Sequence, residues 1–251
     1  MSISRRKLIT AGVVAAAGAA GLPVAARVAK ANGLIPPDPG GPYGLGETLN
    51  YGVQRLLASH SMAREFPRSA ISKKPFANEL APFKDDFKRH QANGFADWKL
   101  AVEGLVARPG AFSVVDLKKF GSRSQITHIA CEEGWSYIAE WTGVPLSRIL
   151  EAAGMRPEAK YVVYFSIEKD WWDSIDLAEA QHPQTLIAHG MNGADLPVPF
   201  GGPLRMRVPR QLGYKNVKFV NRLVVTDDLS KFGKGTGSAS PENGYTWYAG
   251  I

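Results

Sequence analysis

From Trp98 onward, apolar and polar positions alternate in the two-residue rhythm of half-buried strands, broken by short runs at helical spacing. "WKLAVEGLV" sets Trp98, Leu100 and Val102 against Lys99 and Glu103, which predicts a strand. "SVVDLKKF" places Ser113 three residues before Asp116, the signature of a capping box, and predicts a short helix. Strands are predicted in "SQITHIA", "KYVVYFSIE", "QTLIAHGM", "LRMRVP" and "NVKFVNRLVVTD", with a turn at Asn192 and Gly193. "PLSRILEAAG" reads as a helix that starts near Pro145 and stops at Gly154, and "SIDLAEAQHP" as a helix ended by Pro183. Helices and strands do not alternate regularly, so the expected class is α+β with a mixed sheet.

Residues 32–97 lack this rhythm. "GLIPPDPGGPYGLG" is turn-rich, "ETLNYGVQRLLASHSMAREF" predicts one short helix, and "KKPFANELAPFKDDFKRHQANGFAD" reads as loop with scattered aromatics. The expected organisation is a leader over residues 1–31, an irregular entry region over 32–97 packed on the main domain, and a main domain over 98–251.

The leader changes the meaning of the charge. "SRRKLI" precedes an Ala/Gly-rich apolar run, with small residues around Ala26 and Ala31 as candidate cleavage points. This is the grammar of an export signal, and Arg5 and Arg6 resemble the twin-arginine type. The alternative is an uncleaved anchor, since residues 8–26 are just long enough to span a bilayer; contact with a membrane is expected only in that case. The chain carries a formal charge of +7, and residues 1–31 hold five bases and no acid, so removing them leaves +2. A nucleic-acid partner is therefore not expected. Twin-arginine export carries proteins already folded, often around a cofactor. The expected location is the periplasm.

The chemistry starts from the one cysteine, Cys131, in "THIACEEGWS". A lone cysteine is more often a small core hydrophobe than a ligand. Cys131 instead ends a predicted strand and opens a polar turn, where a soft thiolate suits a metal held mainly by its own cofactor. One cysteine and no CxxCH exclude a self-supplied four-thiolate cluster and covalent c-type haem, so neither an iron–sulfur cluster nor a haem is expected. Further on, "GGPLRMRVPRQLGYKNVKF" puts Arg205 and Arg207 on one face of a strand, with Gly201 and Gly202 allowing close backbone approach and Lys215 and Lys218 following. That is either a cradle for an anion or a solvated basic face.

The blocks "HIACEEGWSYIAEWTGVPLSRILEAAG", "SIDLAEAQHPQTLIAHGMNGADLPV", "GGPLRMRVPRQLGYKNVKFV" and "GYTWYAGI" resemble the sulfite-oxidase-like molybdopterin-dependent oxidoreductases, over roughly residues 60–251. The nearest resemblance is to exported, haem-free bacterial members such as periplasmic methionine-sulfoxide reductases. The resemblance implies a mixed-sheet molybdopterin-binding fold and one pterin per molybdenum. It makes Cys131 the metal ligand and catalytic residue. It places Arg205, Asn216, Val217 and Lys218 at the pterin phosphate, Ser166 at a pterin hydrogen bond, and Asn78 (with Asn93 as the alternative) at an early pterin contact.

Two departures matter. Phe200 stands where some relatives carry a polar pterin contact. Glu132 and Glu133 follow the cysteine where sulfite oxidases gather arginines, which disfavours an anionic substrate. Both carboxylates face either solvent or the site, and Trp171 and Trp172 either wall its entrance or pack in the core. The expected function is oxygen-atom transfer with a small substrate, as S-oxide or N-oxide reduction, with a membrane cytochrome b or a soluble cytochrome c as electron partner. Sulfite dehydrogenation is the alternative within the class. A non-catalytic pterin-binding, anion-binding or electron-transfer subunit is the alternative outside it.

Overall fold

The computed structural model describes residues 22–38, 41, 43–78 and 85–251. Arg5, Arg6 and the apolar run as far as residue 21 lie outside the described residues. Helix α1 (Leu22–Ala31) leads by a turn to helix α2 (Leu45–Leu57). Among the described residues no helix is long and apolar enough to cross a membrane.

Two five-stranded sheets form the frame. In chain order the elements from residue 85 are α3 (Asp85–Ala92), β1 (Lys99–Gly104), β2 (Gly110–Ser113), α4 (Val114–Lys119), β3 (Arg123–Ala130), β4 (Ser136–Pro145), α5 (Leu146–Ala153), β5 (Tyr161–Ser166), β6 (Trp172–Asp176), α6 (Leu177–Ala180), β7 (Leu186–Met191), β8 (Ala194–Asp195), β9 (Arg205–Arg207), β10 (Val220–Thr226) and α7 (Ala239–Glu242). One sheet runs β2-β1-β10-β5-β6; the other runs β3-β4-β7-β8, with β9 also paired to β7. The β1–β10 pair is parallel and every other pair is antiparallel, so the class is α+β with a mixed sheet, as the pattern predicts.

The largest core fills the space between the sheets. Leu100, Val102, Val162, Tyr164 and Leu223 of the first sheet meet Val144, Ile187 and Met206 of the second, with Ile149 and Leu150 of α5 packed among them. A second cluster, built on Trp141, Tyr137 and Ile129, lies on the far face of the second sheet. A third, built on Tyr51, Val163 and Trp247, holds α2 on the far face of the first. Helix α2 buries Glu47, Tyr51 and Arg55 at four-residue spacing and leaves Leu45, Leu49, Val53 and Leu57 exposed.

Local chemistry matches the predicted stops and starts. The Ser113 side chain accepts from Asp116 N at 3.1 Å, and Asp116 Oδ2 accepts from Ser113 N at 3.2 Å, closing the capping box of α4. Helix α5 ends at Gly154 with φ 67°, where a side chain would be strained. Asn192 and Gly193 turn between β7 and β8 with φ 52° and 83°.

Three elements differ from the pattern. Residues 85–92, read as loop, form α3, whose Phe87 reaches the main core and meets Trp98 edge-on at 6.1 Å. A single apolar anchor on an otherwise charged helix leaves no periodic trace. Strand β4 is central, buried on both faces, and so shows no alternation. Strand β6 takes the first half of the predicted helix, leaving only four residues for α6, capped by Asp176 Oδ1 accepting from Glu179 N at 2.8 Å. Its Asp173, Ser174 and Asp176 are polar, yet all are buried because each finds partners.

Asp173 is the hub of these partners. It accepts from Lys215 Nζ at 2.6 Å, Ser238 Oγ at 2.6 Å and Ser240 Oγ at 2.5 Å, with Lys215 0% and Asp173 1% exposed at the side chain. Trp247 Nε1 donates to the neighbouring Ser174 Oγ at 2.8 Å. Asp173→Ala leaves a lysine charge buried without its partner, which costs about 3–5 kcal/mol. Urea unfolding of the purified variant checks this; a loss under about 1 kcal/mol means that Lys215 finds other compensation.

Candidate functional site

Cys131 directly follows β3. The turn after it is closed by Cys131 N donating to Trp135 O at 2.9 Å and Gly134 N donating to Cys131 O at 3.1 Å, with Gly134 at φ 89°. Opposite lies the helical turn Gly213–Lys215. A Cβ on Gly213 would sit 3.1 Å from the Cα, Cβ and Sγ of Cys131, so only glycine fits there without displacing the thiol. The Asp173–Lys215 pair therefore fixes the turn that presses on the cysteine.

Cys131 opens into a cleft of about 770 Å³. Glu132 and Glu133 both line it, and Glu132 Oε2 accepts from Cys131 Sγ at 3.2 Å. Glu133 Oε2 accepts from Trp135 Nε1 at 2.6 Å. Burial pushes the Cys131 thiol up to about 12; the Glu133 backbone opposes this, and the Glu132 and Glu133 carboxylates add to it. Among the described residues no three His, Cys, Asp or Glu side chains gather as a metal site.

The inner end of the cleft is cationic. Arg205 and Arg207 on β9 are 3% and 0% exposed. Both guanidiniums lie over the ring of Trp141, at 5.5 and 5.4 Å. Neither faces a carboxylate within ion-pair distance among the described residues. Arg205 donates to Phe200 O at 2.9 Å, and Arg207 donates to Asn216 Oδ1 at 2.7 Å and His128 O at 2.6 Å, but the Nε of each is buried without a partner. Burial lowers both pKa values, that of Arg207 to about 9, with Arg205 as the second cause. Two adjacent buried cations with donors to spare are costly unless an anion joins them. The basic strand is thus no solvated face.

Most predicted residues meet here. Asn78, Cys131, Arg205, Asn216 and Lys218 all line the cleft. Asn216 spends its side chain on the loop: Oδ1 accepts from Arg207 and from Val208 N at 2.8 Å, and Nδ2 donates to Leu212 O at 3.0 Å. Ser166 and Val217 are not in the lining. Ser166 Oγ accepts from Glu168 N at 3.1 Å, holding the loop whose residues 168–171 form one wall. The Val217 side chain is in the core, which leaves only its main chain to face a ligand. Asn93 bonds to Asp97 instead.

Other expectations are corrected. Gly201 and Gly202 give close approach to the protein itself: a Cβ at Gly201 would meet the Lys218 stem at 3.0 Å, and one at Gly202 would strike Leu196 O. Lys215 serves Asp173, not the cradle. Trp171 lines the cleft, whereas Trp172 stacks on Phe165 at 5.7 Å in the third core. Tyr214, Asn243 and Tyr245 also line the cleft; Tyr214 and Tyr245 fall within the resembling blocks, but nothing in their pattern assigns them to it, because turn-rich segments bring them there.

A half-buried lone thiol at one end and unneutralised buried guanidiniums at the other define a site for an anionic group that carries a soft metal. The comparisons agree with that chemistry. Residues 88–232 match the family described as "Oxidoreductase molybdopterin binding domain". A putative protein-methionine-sulfoxide reductase subunit, YedZ1, of Azospira oryzae is 34% identical over 78% of this chain and 70% of the relative. The protein-methionine-sulfoxide reductase catalytic subunits MsrP of Xanthomonas axonopodis pv. citri and Pseudomonas syringae pv. tomato are 34% and 30% identical, over 54% and 61% of this chain. The chain spans about half the length of those two, 47% and 50%. Among solved structures, the sulfane dehydrogenase SoxCD of Paracoccus pantotrophus superposes with a TM-score of 0.52 at 24% identity, over 68% of this chain and 46% of that one. This chain belongs to the molybdopterin-binding oxidoreductase family, with the sulfite-oxidase-like fold, and is an enzyme of the oxidoreductase class.

Proposed function

We propose that this chain is an exported molybdenum oxidoreductase that reduces a neutral S-oxide by oxygen-atom transfer, with electrons from an external cytochrome. The observation that carries it is the cleft itself, which joins one thiol to the buried Arg205, with Arg207 buried behind it. Cys131 is the protein's ligand to the metal. Arg205, Lys218 and the main chain at Asn216 and Val217 hold the pterin phosphate; Asn78 and Ser166 contact or support the pterin. Arg205, the arginine in the cleft lining, suits that group's anionic end, and the buried Arg207 adds positive charge behind it. When bound, the molybdenum–pterin group supplies the two-electron redox couple.

The chain's own residues bind, orient and exclude. Gly213 and the Asp173–Lys215 pair hold the thiol in one place, and Trp141 backs the arginines from the core side. In the net reaction the S–O bond breaks, sulfur gains two electrons, and the oxygen leaves as water with two protons. The carboxylates of Glu132 and Glu133 beside the thiol disfavour sulfite, the alternative substrate. The names of the relatives support the S-oxide reading, and the Arg5–Arg6 leader supports twin-arginine export to the periplasm.

Natively exported protein is expected to contain about one molybdenum and one pterin per chain. With reduced viologen as donor it consumes methionine sulfoxide. Sulfite-dependent dye reduction without S-oxide turnover overturns the direction and substrate. Absence of molybdenum overturns the enzyme in favour of a binding subunit.

A further inference from the structure

We propose that Tyr245 determines substrate specificity, its ring receiving the apolar substituent of a neutral S-oxide; this rests on the function proposed above. Among the aromatic residues lining the cleft, Trp171 and Tyr245 are open, at 39% and 38% exposed. Of the two, Tyr245 is braced. Its ring packs on Tyr214 at 5.1 Å between centroids, and Tyr214 Oη donates to the main-chain oxygen of Thr246 at 2.8 Å.

The segment bearing it is tied down on both sides. Ser238 and Ser240 donate to the buried Asp173, Tyr245 N donates to Ser240 O at 3.0 Å, and Trp247 N donates to Glu47 Oε1 at 2.8 Å. A large apolar surface held rigid yet left half open in a cleft is a contact surface for a ligand. The arginines at the inner end are buried and the thiol end carries two carboxylates, so the aromatic wall is where a thioether or aryl group gains by leaving water. Sulfur beside a ring edge adds to that gain. A small, strongly hydrated substrate gains nothing there.

The test compares methyl phenyl sulfoxide with dimethyl sulfoxide on holoenzyme carrying Tyr245, Tyr245→Ala or Tyr245→Phe. Equilibrium binding is measured by calorimetry without an electron donor, and kcat and KM with reduced viologen. Tyr245→Ala is expected to raise Kd and KM for methyl phenyl sulfoxide about 10-fold, equivalent to about 1.4 kcal/mol. Its kcat stays within about two-fold, dimethyl sulfoxide is unaffected, and Tyr245→Phe restores the wild-type values. Equal changes for both sulfoxides, or no change, overturn the proposal. Wild-type holoenzyme that turns over neither sulfoxide overturns the function it rests on instead.

Discussion

Cys131→Ser is expected to abolish dye-linked turnover in a chain that still folds and still carries its pterin. The substitution is nearly isosteric, and the side chain is only partly buried, so the fold loses little. A thiol serving merely as a small hydrophobe would leave turnover unchanged. As the metal ligand it is replaced by a hard, poorly ionised alcohol, which alters the potential and geometry of the metal. Changes even to the partners of metal ligands commonly cost about 10–100-fold, and loss of the ligand itself is expected to cost at least about 100-fold. Pterin released from the variant, its molybdenum content, its electron-spin spectrum and its turnover are measured on one preparation. An unchanged spin signal with unchanged turnover removes Cys131 from the metal.

Arg205→Glu is expected to lose pterin and molybdenum together. Arg205 sits at the inner end of the cleft with one donor spare, and Arg207 lies on the same face two residues on. Losing a charge-assisted bond to the phosphate costs about 1.5–3 kcal/mol, or roughly 10- to 150-fold in affinity, before the repulsion from the new carboxylate. Arg205→Lys keeps the charge but not the fork, and is expected to retain part of the pterin. It also separates a binding defect from a folding one, since the ammonium is tolerated where a buried carboxylate is not. Full pterin content in Arg205→Glu, with wild-type melting, shows that the phosphate is held elsewhere.

What the sequence discloses follows from how each residue is stabilised. Cys131 and Arg205 are legible through the family resemblance, with strand alternation putting Arg205 and Arg207 on one face; the structure puts Cys131 and Arg205 in the cleft lining and buries Arg207. Strand β6 is not legible, because its buried polar residues owe their burial to Lys215, Tyr51, Arg55 and two serines far along the chain. Lys215 reads as part of a basic patch for the same reason: its partner is 42 positions earlier. Helix α3 escapes because Phe87 alone anchors it. Tyr245 sits in the resembling block "GYTWYAGI", but its place in the cleft is not legible there, since it is set by contacts of Ser238, Ser240 and Trp247 with residues of β6 and α2.

The hub at Asp173 also dictates a timetable. The wall carrying Tyr245 is fastened to residues synthesised much earlier, and Gln211 pairs with Gly250 across the same region. A ribosome that has made residues 1–232 has completed both sheets but not this cleft. A chain that stops at residue 232 lacks Asn243 and Tyr245 of the cleft lining, and its pterin content shows whether that wall is needed to hold the cofactor. Any quality check that senses the closed wall would hold back such chains, and a stop codon after residue 232 gives the direct means of asking whether one exists.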